Sequence, residues 1–457
     1  MKANIDNIKN KKILVVGLGK SGIAAIDAMI TLQAEVYLQD SKTEDKIDPQ
    51  LVEKLRNDGV KCYFGSKPED MSVFDMLILS PGVPPQLDFI QQAKAAGAEI
   101  VGELEIAYRI GEGNYVAITG TNGKTTTTSL VGEIFEKAGK TTYVVGNIGV
   151  AVISKAMTSE PDSWMVTETS SFQLETVSEF KPVVSAVLNL TPDHMDRHKT
   201  MENYGQAKAN IFRNQDENGY LVINYDDKVC FELAKDCRGT VIPFSRKEEL
   251  ELGAFVKDGT IVIKNEQGEM ISFCKADELA IPGTHNLENA LAAAAIAYFA
   301  GLDPDAITKA LREFQGVEHR MEYCGEVEGV RFVNDSKGTN PDASIKAVQA
   351  IKGGIVLIAG GYDKGSEFDE LIEAFDGKVK HMVLLGKTAP AIKATAEKLG
   401  FTACVMAADM DECVREAFRL AEPGDTVLLS PACASWDMYT SFEKRGEDFK
   451  ECVKALK

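Results

Sequence analysis

No run of lysines and arginines in this 457-residue chain is long enough to make a basic stripe, and the formal charge is −19. Both features argue against a nucleic-acid partner, which needs clustered positive charge to follow a phosphate backbone. Small anionic ligands are not excluded. With a Debye length of about 8 Å at physiological salt, a bound phosphate responds to the few groups nearest to it. The nine cysteines are scattered, odd in number and never spaced as Cys-x-x-Cys, which disfavours a disulfide framework and zinc and points to a reduced compartment. Long apolar runs are missing as well. The longest helix-like one, residues 290–300, falls well short of the roughly 20 residues that span a bilayer. Residues 1–7 have no apolar segment, so a cytoplasmic protein without membrane insertion is expected.

What is present is an ordinary globular composition, 44% hydrophobic and 26% charged, with no low-complexity linker. At roughly 100–200 residues per domain the chain is too long for one core, and three units are expected. From residue 12 to about 102, short apolar runs (13–17, 35–40, 61–64, 76–80, 99–101) alternate with helical stretches such as 22–32 and 88–96, the pattern of a small doubly wound sheet. A second series has strands at 115–120, 142–146, 164–168, 183–190 and 219–224, with a helix over 124–138. Within it, Asp258-Gly259 between apolar runs 254–256 and 261–263 predicts a tight antiparallel hairpin. Helices over 287–300 and 304–314 close that series. A third begins with a hairpin-like pair, 323–327 and 330–334, and continues with strands at 355–359, 382–385 and 426–429. The fold class is therefore α/β in three domains, 1–108, 109–316 and 317–457. The first and last are Rossmann-like, and the central one is a P-loop-type mononucleotide-binding α/β unit with a small antiparallel part.

Gly120-Thr121-Asn122-Gly123-Lys124-Thr125-Thr126 lies between a strand and a helix. Small residues let backbone N–H groups approach phosphate oxygens, the helix N-terminus favours an anion, Lys124 adds a positive charge and the Thr125 hydroxyl suits Mg²⁺. The standard motif opens with a glycine five residues before its second glycine; here Ile118 holds that place. Another phosphate signature, Gly17-Leu18-Gly19-Lys20-Ser21-Gly22, follows the first strand, with Asp40 closing the next one. Alone it is the dinucleotide fingerprint and would make the chain an NAD-dependent dehydrogenase. The motif reports a pyrophosphate on a helix N-terminus, however, and a UDP-sugar carries one too. With a second phosphate loop downstream, a ligase handling two nucleotides accounts for more of the chain. A nucleotide-sensing regulator is a third reading.

Further stretches carry a resemblance: Thr167-Glu168-Thr169-Ser170-Ser171-Phe172-Gln173-Leu174, Asn189 through Arg197, Gly283 through Ala290, and Glu318-His319-Arg320. In order and spacing they resemble the Mur ligases, which extend the peptide of peptidoglycan precursors, and more distantly the folylpolyglutamate synthetases. Asn334 through Asn340 and Ser430 through Asp437 resemble the branch that adds D-glutamate, and the Asp-Asn-Pro-Arg signature of the next ligase in the series is missing. The resemblance implies a monomeric enzyme of cell-wall synthesis, and so of cell shape and division. It would use ATP and two Mg²⁺ ions, with Mn²⁺ as a substitute, to join UDP-N-acetylmuramoyl-L-alanine to D-glutamate through an acyl phosphate.

The difficulty of such a reaction is charge: a carboxylate must approach a triphosphate, and at about 4 Å two unit charges repel by roughly 4 kcal/mol at an effective dielectric near 20. Lys124 answers part of it. Glu168, at the end of a strand that could face the phosphate loop, suits a Mg²⁺ shared with Thr125. His194 and Lys208 read by themselves as a loop histidine and a helix-surface lysine; the resemblance makes them holders of a second ion, with Lys208 carbamylated. It also implies Asn289, Arg320 and Asp335 as ATP contacts beside residues 120–126, and Lys337 as a stabiliser of the transferring phosphoryl group. Gly19, Lys20, Ser21, Asp40, Ser41, Gly82 and Asn147 are implied along the UDP-substrate, and Lys364, Ser435 and Phe442 around D-glutamate. Trp436 is expected beside these last or in the core. A hinge near residues 316–319 would let the last domain close over the reaction.

Overall fold

The computed structural model describes residues 8–281, 283–362 and 366–456. Among these residues twenty strands form three sheets. The first contains β1 (Lys12–Val16), β2 (Glu35–Asp40), β3 (Lys61–Phe64), β4 (Met76–Leu79) and β5 (Glu99–Gly102) in the order β3-β2-β1-β4-β5. The second contains β6 (Asn114–Thr119), β7 (Thr142–Gly146), β8 (Trp164–Glu168), β9 (Val184–Val187), β10 (Tyr220–Asn224), β11 (Thr240–Ser245), β12 (Gly253–Lys257), β13 (Thr260–Lys264) and β14 (Met270–Lys275), in the order β14-β13-β12-β11-β10-β9-β6-β8-β7. The third contains β15 (Glu322–Val327), β16 (Val330–Asn334), β17 (Ile355–Ala359), β18 (Val379–Leu384), β19 (Cys404–Met406) and β20 (Thr426–Leu429), in the order β15-β16-β20-β17-β18-β19. The first sheet is parallel throughout, the second is antiparallel only across β12, β13 and β14, and the third only between β15 and β16. This is the expected α/β architecture of three sheets.

By packing, the described residues fall into two compact units. One comprises those of Met1–Leu190, Met201–Ala276 and Asn289–Arg312; the other comprises those of Thr191–Thr200, Asp277–Glu288 and Glu313–Lys457. The first unit carries the first two sheets and the second unit carries the third.

Parallel strands are buried on both faces and read as continuous apolar runs. Leu14, Leu77, Val116, Val166, Leu357 and Leu428 are all fully buried, which is why the runs were visible in the sequence. The hairpin at Asp258-Gly259 forms between β12 and β13, and both turn residues have positive φ (48° and 73°), the geometry Asp-Gly favours. The strand expected over 183–190 is shorter, Val184–Val187, because Asn189 turns away to bond the phosphate loop. Strands β11, β14 and β19 had no distinct signal: β11 contains Pro243, and β14 and β19 are partly exposed. No helix among the described residues is long and apolar enough to cross a membrane.

The glycines of the first phosphate signature, with Gly82 after β4, divide into two kinds. Gly17 has φ 95°, and a Cβ on Gly22 would lie 2.0 Å from the Gly17 carbonyl oxygen. A Cβ on Gly19 or Gly82 would meet no heavy atom within 4 Å. Packing therefore requires Gly17 and Gly22 and leaves Gly19 and Gly82 facing open space. Gly22→Ala is expected to destabilise the protein by about 1–3 kcal/mol, whereas Gly19→Ala should change stability by less than about 1 kcal/mol. Chemical denaturation of the two variants measures the difference.

Candidate active site

In both sheets of the first unit the chain leaves a central strand and places neighbours first on one side and then on the other. β1 lies between β2 and β4, and β6 between β9 and β8. The crevice beyond the carboxyl end of such a strand is where open α/β sheets hold ligands. Each phosphate signature follows one of these two strands.

After β6 the backbone turns at Gly120 and reaches Gly123, which is left-handed (φ 84°) and caps the helix Lys124–Lys137. A Cβ on Gly123 would sit 2.3 Å from Asn289 Oδ1, so conformation and space both demand glycine there. Ile118 is fully buried inside β6. The loop accordingly begins two residues later than in the standard motif, and a glycine at 118 would serve no turn.

Side chains distant in sequence hold this loop. Asn189 Oδ1 accepts from the N–H groups of Thr121 (3.1 Å) and Asn122 (2.8 Å), while its Nδ2 donates to the Asn122 carbonyl (2.9 Å). Lys124 Nζ donates to the carbonyls of Gly120 (2.9 Å) and Thr121 (2.8 Å). Lys208 is not the helix-surface residue its sequence context suggests. It is 1% exposed, its Nζ donates to the Gly120 carbonyl at 2.8 Å, and the same ammonium lies 4.5 Å from the centroid of the Tyr204 ring. Thr125 and Thr126 are buried, and Asn289 is buried where its Oδ1 accepts from Thr127 Oγ1 at 3.3 Å.

Glu168 ends β8, paired with Ile118 of β6, and is 1% exposed rather than a surface carboxylate. Its Oε1 accepts from Asn147 Nδ2 at 2.7 Å, and its buried Oε2 has no hydrogen-bond partner among the described residues. A buried oxygen without a donor is a natural ligand for a hard cation. Asn147, implied at the UDP-substrate, thus also orients the candidate metal carboxylate. His194 belongs to the second unit, where it adopts φ 55° and its Nε2 lies 3.6 Å from Asp193 Oδ2.

Around the first signature, Asp40 Oδ2 accepts from Leu18 N–H (2.6 Å) and Oδ1 from Lys42 N–H (2.8 Å), while Ser80 Oγ donates to the Gly17 carbonyl (2.9 Å). Asp40 therefore pins the glycine turn. Gly19, Lys20, Ser41 and Gly82 are exposed nearby and Ser21 is half-buried.

In the second unit the third sheet brings predicted residues to the carboxyl ends of the neighbouring strands β16 and β20. Asp335 and Lys337 follow β16, Ser435 follows β20, and Lys364 follows β17 but lies outside the described residues. Asp335 is fully buried; its Oδ2 accepts from Ser430 Oγ (2.8 Å), Arg320 Nη1 lies 3.6 Å from its Oδ1, and burial pushes its carboxyl pKa up. Lys337 Nζ lies 4.9 Å from the centroid of the Phe442 ring. Burial, then Arg320 and Lys346, push the nearby His285 imidazole down to about 4, so it is neutral at physiological pH. Trp436 is not a core residue: it is 63% exposed, its ring 5.8 Å from that of Tyr362.

Sequence reasoning missed the residue that ties these loops together. Arg445, 2% exposed, donates to Ser336 Oγ (3.1 Å), the Ser336 carbonyl (2.8 Å), the Cys433 carbonyl (3.1 Å) and the Ala434 carbonyl (3.2 Å). One guanidinium thereby fixes the loop bearing Lys337 against the loop bearing Ser435. Burial pulls its pKa down to about 10, leaving it charged at neutral pH. An arginine in a helix with Glu, Lys and Asp around it carries no signal in the sequence that it faces inward.

Comparison with known proteins follows the same three sheets. The MurD-like N-terminal domain family of Mur ligases matches residues 11–102, the Mur ligase middle domain family residues 118–297, and the Mur ligase glutamate ligase domain family residues 319–433. The UDP-N-acetylmuramoylalanine–D-glutamate ligase of Alkaliphilus oremlandii is 52% identical over 455 residues, 99% of this chain and 100% of that protein. Its counterpart from Caldanaerobacter subterraneus is 50% identical over 453 residues, 98% of this chain and 99% of that one. The crystal structure of a MurF ligase from Thermotoga maritima in complex with ADP superposes with a TM-score of 0.60 at 16% identity, covering 99% of this chain and 97% of that one, a likeness of fold alone. Identity of this extent along essentially the whole chain, with a match to each of the three domain families, means that the chain belongs to the Mur ligase family.

Proposed function

We propose that this protein joins the carboxylate of UDP-N-acetylmuramoyl-L-alanine to the amine of D-glutamate, using ATP and passing through an acyl phosphate with release of ADP and phosphate. The observation that carries the reading is the loop after β6. Two lysine ammonium groups reach one carbonyl there, and a buried carboxylate oxygen without a partner lies one strand away. The amino acid and the UDP-sugar are the substrates named in the full-length relatives.

ATP phosphates would lie against the N–H groups of residues 120–126, with Asn289, Arg320 and Asp335 as further nucleotide contacts. Thr125 and Glu168 would hold one Mg²⁺, and His194 with carbamylated Lys208 a second. Bound there, the ions neutralise phosphate charge so that a carboxylate can approach. As an ammonium, Lys208 donates to Gly120; as a carbamate, formed by adding CO₂ to its neutral amine, it would offer oxygens instead. Lys337 stabilises the transferring group. Lys364, Ser435 and Phe442 shape the D-glutamate pocket, the loop of Ser435 being held by Arg445. The UDP part lies along Gly19, Lys20, Ser21, Asp40, Ser41, Gly82 and Asn147. Domain boundaries near residues 108 and 316 would give each substrate its own domain, with closure about a hinge at 316–319 in a cytoplasmic monomer.

The direct test is phosphate release from ATP and Mg²⁺ with UDP-N-acetylmuramoyl-L-alanine and one amino acid at a time. Release is expected with D-glutamate and not with L-glutamate, L-lysine or L-alanine; equal release with all four, or NAD reduction in its place, contradicts the reading. Lys208→Ala should lose activity that small carboxylates partly restore, and full activity without them would remove Lys208 from the metal site. Arg445→Ala takes the guanidinium donors from the buried carbonyls of Ser336 and Cys433, at about 1–3 kcal/mol for each one left unsatisfied, whereas the Ala434 carbonyl keeps the Tyr362 N–H. The substitution should lower the unfolding midpoint and raise KM for D-glutamate, with Arg445→Lys intermediate because a single ammonium cannot reproduce the fork.

A further inference from the structure

Glu103 opens the helix Glu103–Ile110, directly after β5, and is 3% exposed. Its Oε1 accepts from the N–H of Ile153 at 2.6 Å, and its buried Oε2 has no hydrogen-bond partner among the described residues. Ile153 lies in the first turn of the helix Val152–Ala156, whose own N-cap is Ala151, a residue with no side chain able to cap. Glu103 therefore supplies, from fifty residues away, the acceptor that a Ser or Asp at position 151 would ordinarily provide.

That helix ends a short excursion from β7. The excursion closes on itself through Gly146 N–H to the Val150 carbonyl (3.0 Å), and it carries Asn147. Asn147 bonds Glu168 twice, from its backbone N–H to the Glu168 carbonyl (2.9 Å) and from Nδ2 to Oε1 (2.7 Å). Residues 146–153 are thus anchored at one end by Glu168 and at the other by Glu103.

We propose that Glu103 is a positioning residue for the reaction: capping the helix at Val152 from a distance, its carboxylate fixes the segment through which Asn147 orients Glu168, and loss of its charge loosens that segment. The inference rests on the proposed ligase reading only for the role of Glu168. The anchoring itself stands apart from it.

Burial pushes the Glu103 carboxyl up to about 7, against the pull of the Ile153 and Val152 N–H groups. Its charge therefore changes in the neutral range. The ionisable groups on the elements around it are Tyr115 of β6, Glu99 of β5 (paired with Arg109), Tyr108, Glu105 and Arg109 of its own helix, Lys155 of the capped helix, and Lys20 and Asp27 of the helix Lys20–Thr31. Glu105 accepts from the N–H groups of Ser178, Glu179 and Phe180 and pairs with Arg109, Asp27 pairs with Lys54, and Lys155 lies over the Tyr143 ring. Tyr108 and Tyr115 phenols are both pushed up, chiefly by burial, and stay neutral. The folded pKa of Glu103 is raised above its ordinary value, so the native state holds the extra proton between about pH 4.5 and 7. Global stability from this group is full below that window and is lost as pH rises through 7. The local cap follows the opposite course, because a charged acceptor holds an N–H more strongly than a neutral one.

The test uses the full chain and its Glu103→Gln and Glu103→Ala variants. Hydrogen exchange at residues 146–153 should be faster in Glu103→Ala on the order of tenfold, the fold-change of losing one cap. In the wild type it should also quicken as pH-corrected conditions pass from 8 to 6, and Glu103→Gln should show no such dependence. In the ligase assay with Mg²⁺ varied, the wild type should need more Mg²⁺ for half-maximal rate below about pH 7, and Glu103→Gln should lose that trend. Unchanged exchange in Glu103→Ala, or the same pH dependence of exchange in Glu103→Gln, overturns the proposal. Because exchange needs no substrate, failure of the ligase assay would not be confused with failure of this inference.

Discussion

Lys124 and Lys208 bring two ammonium groups onto the carbonyl oxygen of Gly120, at 2.9 and 2.8 Å, in a chain whose formal charge is −19. Like charges that share one acceptor repel, and burial of Lys208 denies it the water that would screen it. Two cations this close favour an anion at the loop, which is what a phosphate-binding site requires. The net charge of the molecule does not oppose this, because only groups within a few ångströms of the loop act on it. Around this point the other features fall into place: Gly123 left-handed so that the helix can begin, Asn189 holding two N–H groups in register, and Glu168 buried with one oxygen unpartnered.

The same construction recurs at each sheet. A parallel strand ends in a loop that a side chain from elsewhere in the sequence locks, and the loops after β1, β6 and β16 carry glycine. Asp40 performs this for the turn at Leu18, Asn189 for the turn at Thr121, and Arg445 for the loops after β16 and β20. Loops held in this way are organised before substrate arrives, so less of the binding energy is consumed in ordering them. Glu103 extends the pattern by one step, since it locks a segment whose Asn147 in turn locks Glu168.

Much of this was legible in the sequence because it is local. The buried parallel strands are uninterrupted apolar runs, and β2, β3, β7, β8, β17 and β20 have the bounds that those runs predict. Asp258-Gly259 names its own turn, and Gly120 and Gly123 announce a phosphate loop between strand and helix. What could not be read depends on residues that meet across long separations. Arg445 stands 109 positions from Ser336 and Lys208 stands 88 from Gly120, so the sequence around each gave no hint of burial. Glu103 was invisible for a related reason: the unmet need lies at Ala151, and only the fold brings the two together. For Trp436 the core alternative fails, since its ring is exposed beside that of Tyr362.

The central claim is that the loop after β6 transfers a phosphoryl group to a substrate carboxylate. Labelling both oxygens of the UDP-N-acetylmuramoyl-L-alanine carboxylate with ¹⁸O and analysing the released phosphate by mass spectrometry tests it directly. An acyl phosphate intermediate transfers one labelled oxygen to each phosphate released during D-glutamate addition. Unlabelled phosphate accompanying product would contradict the account.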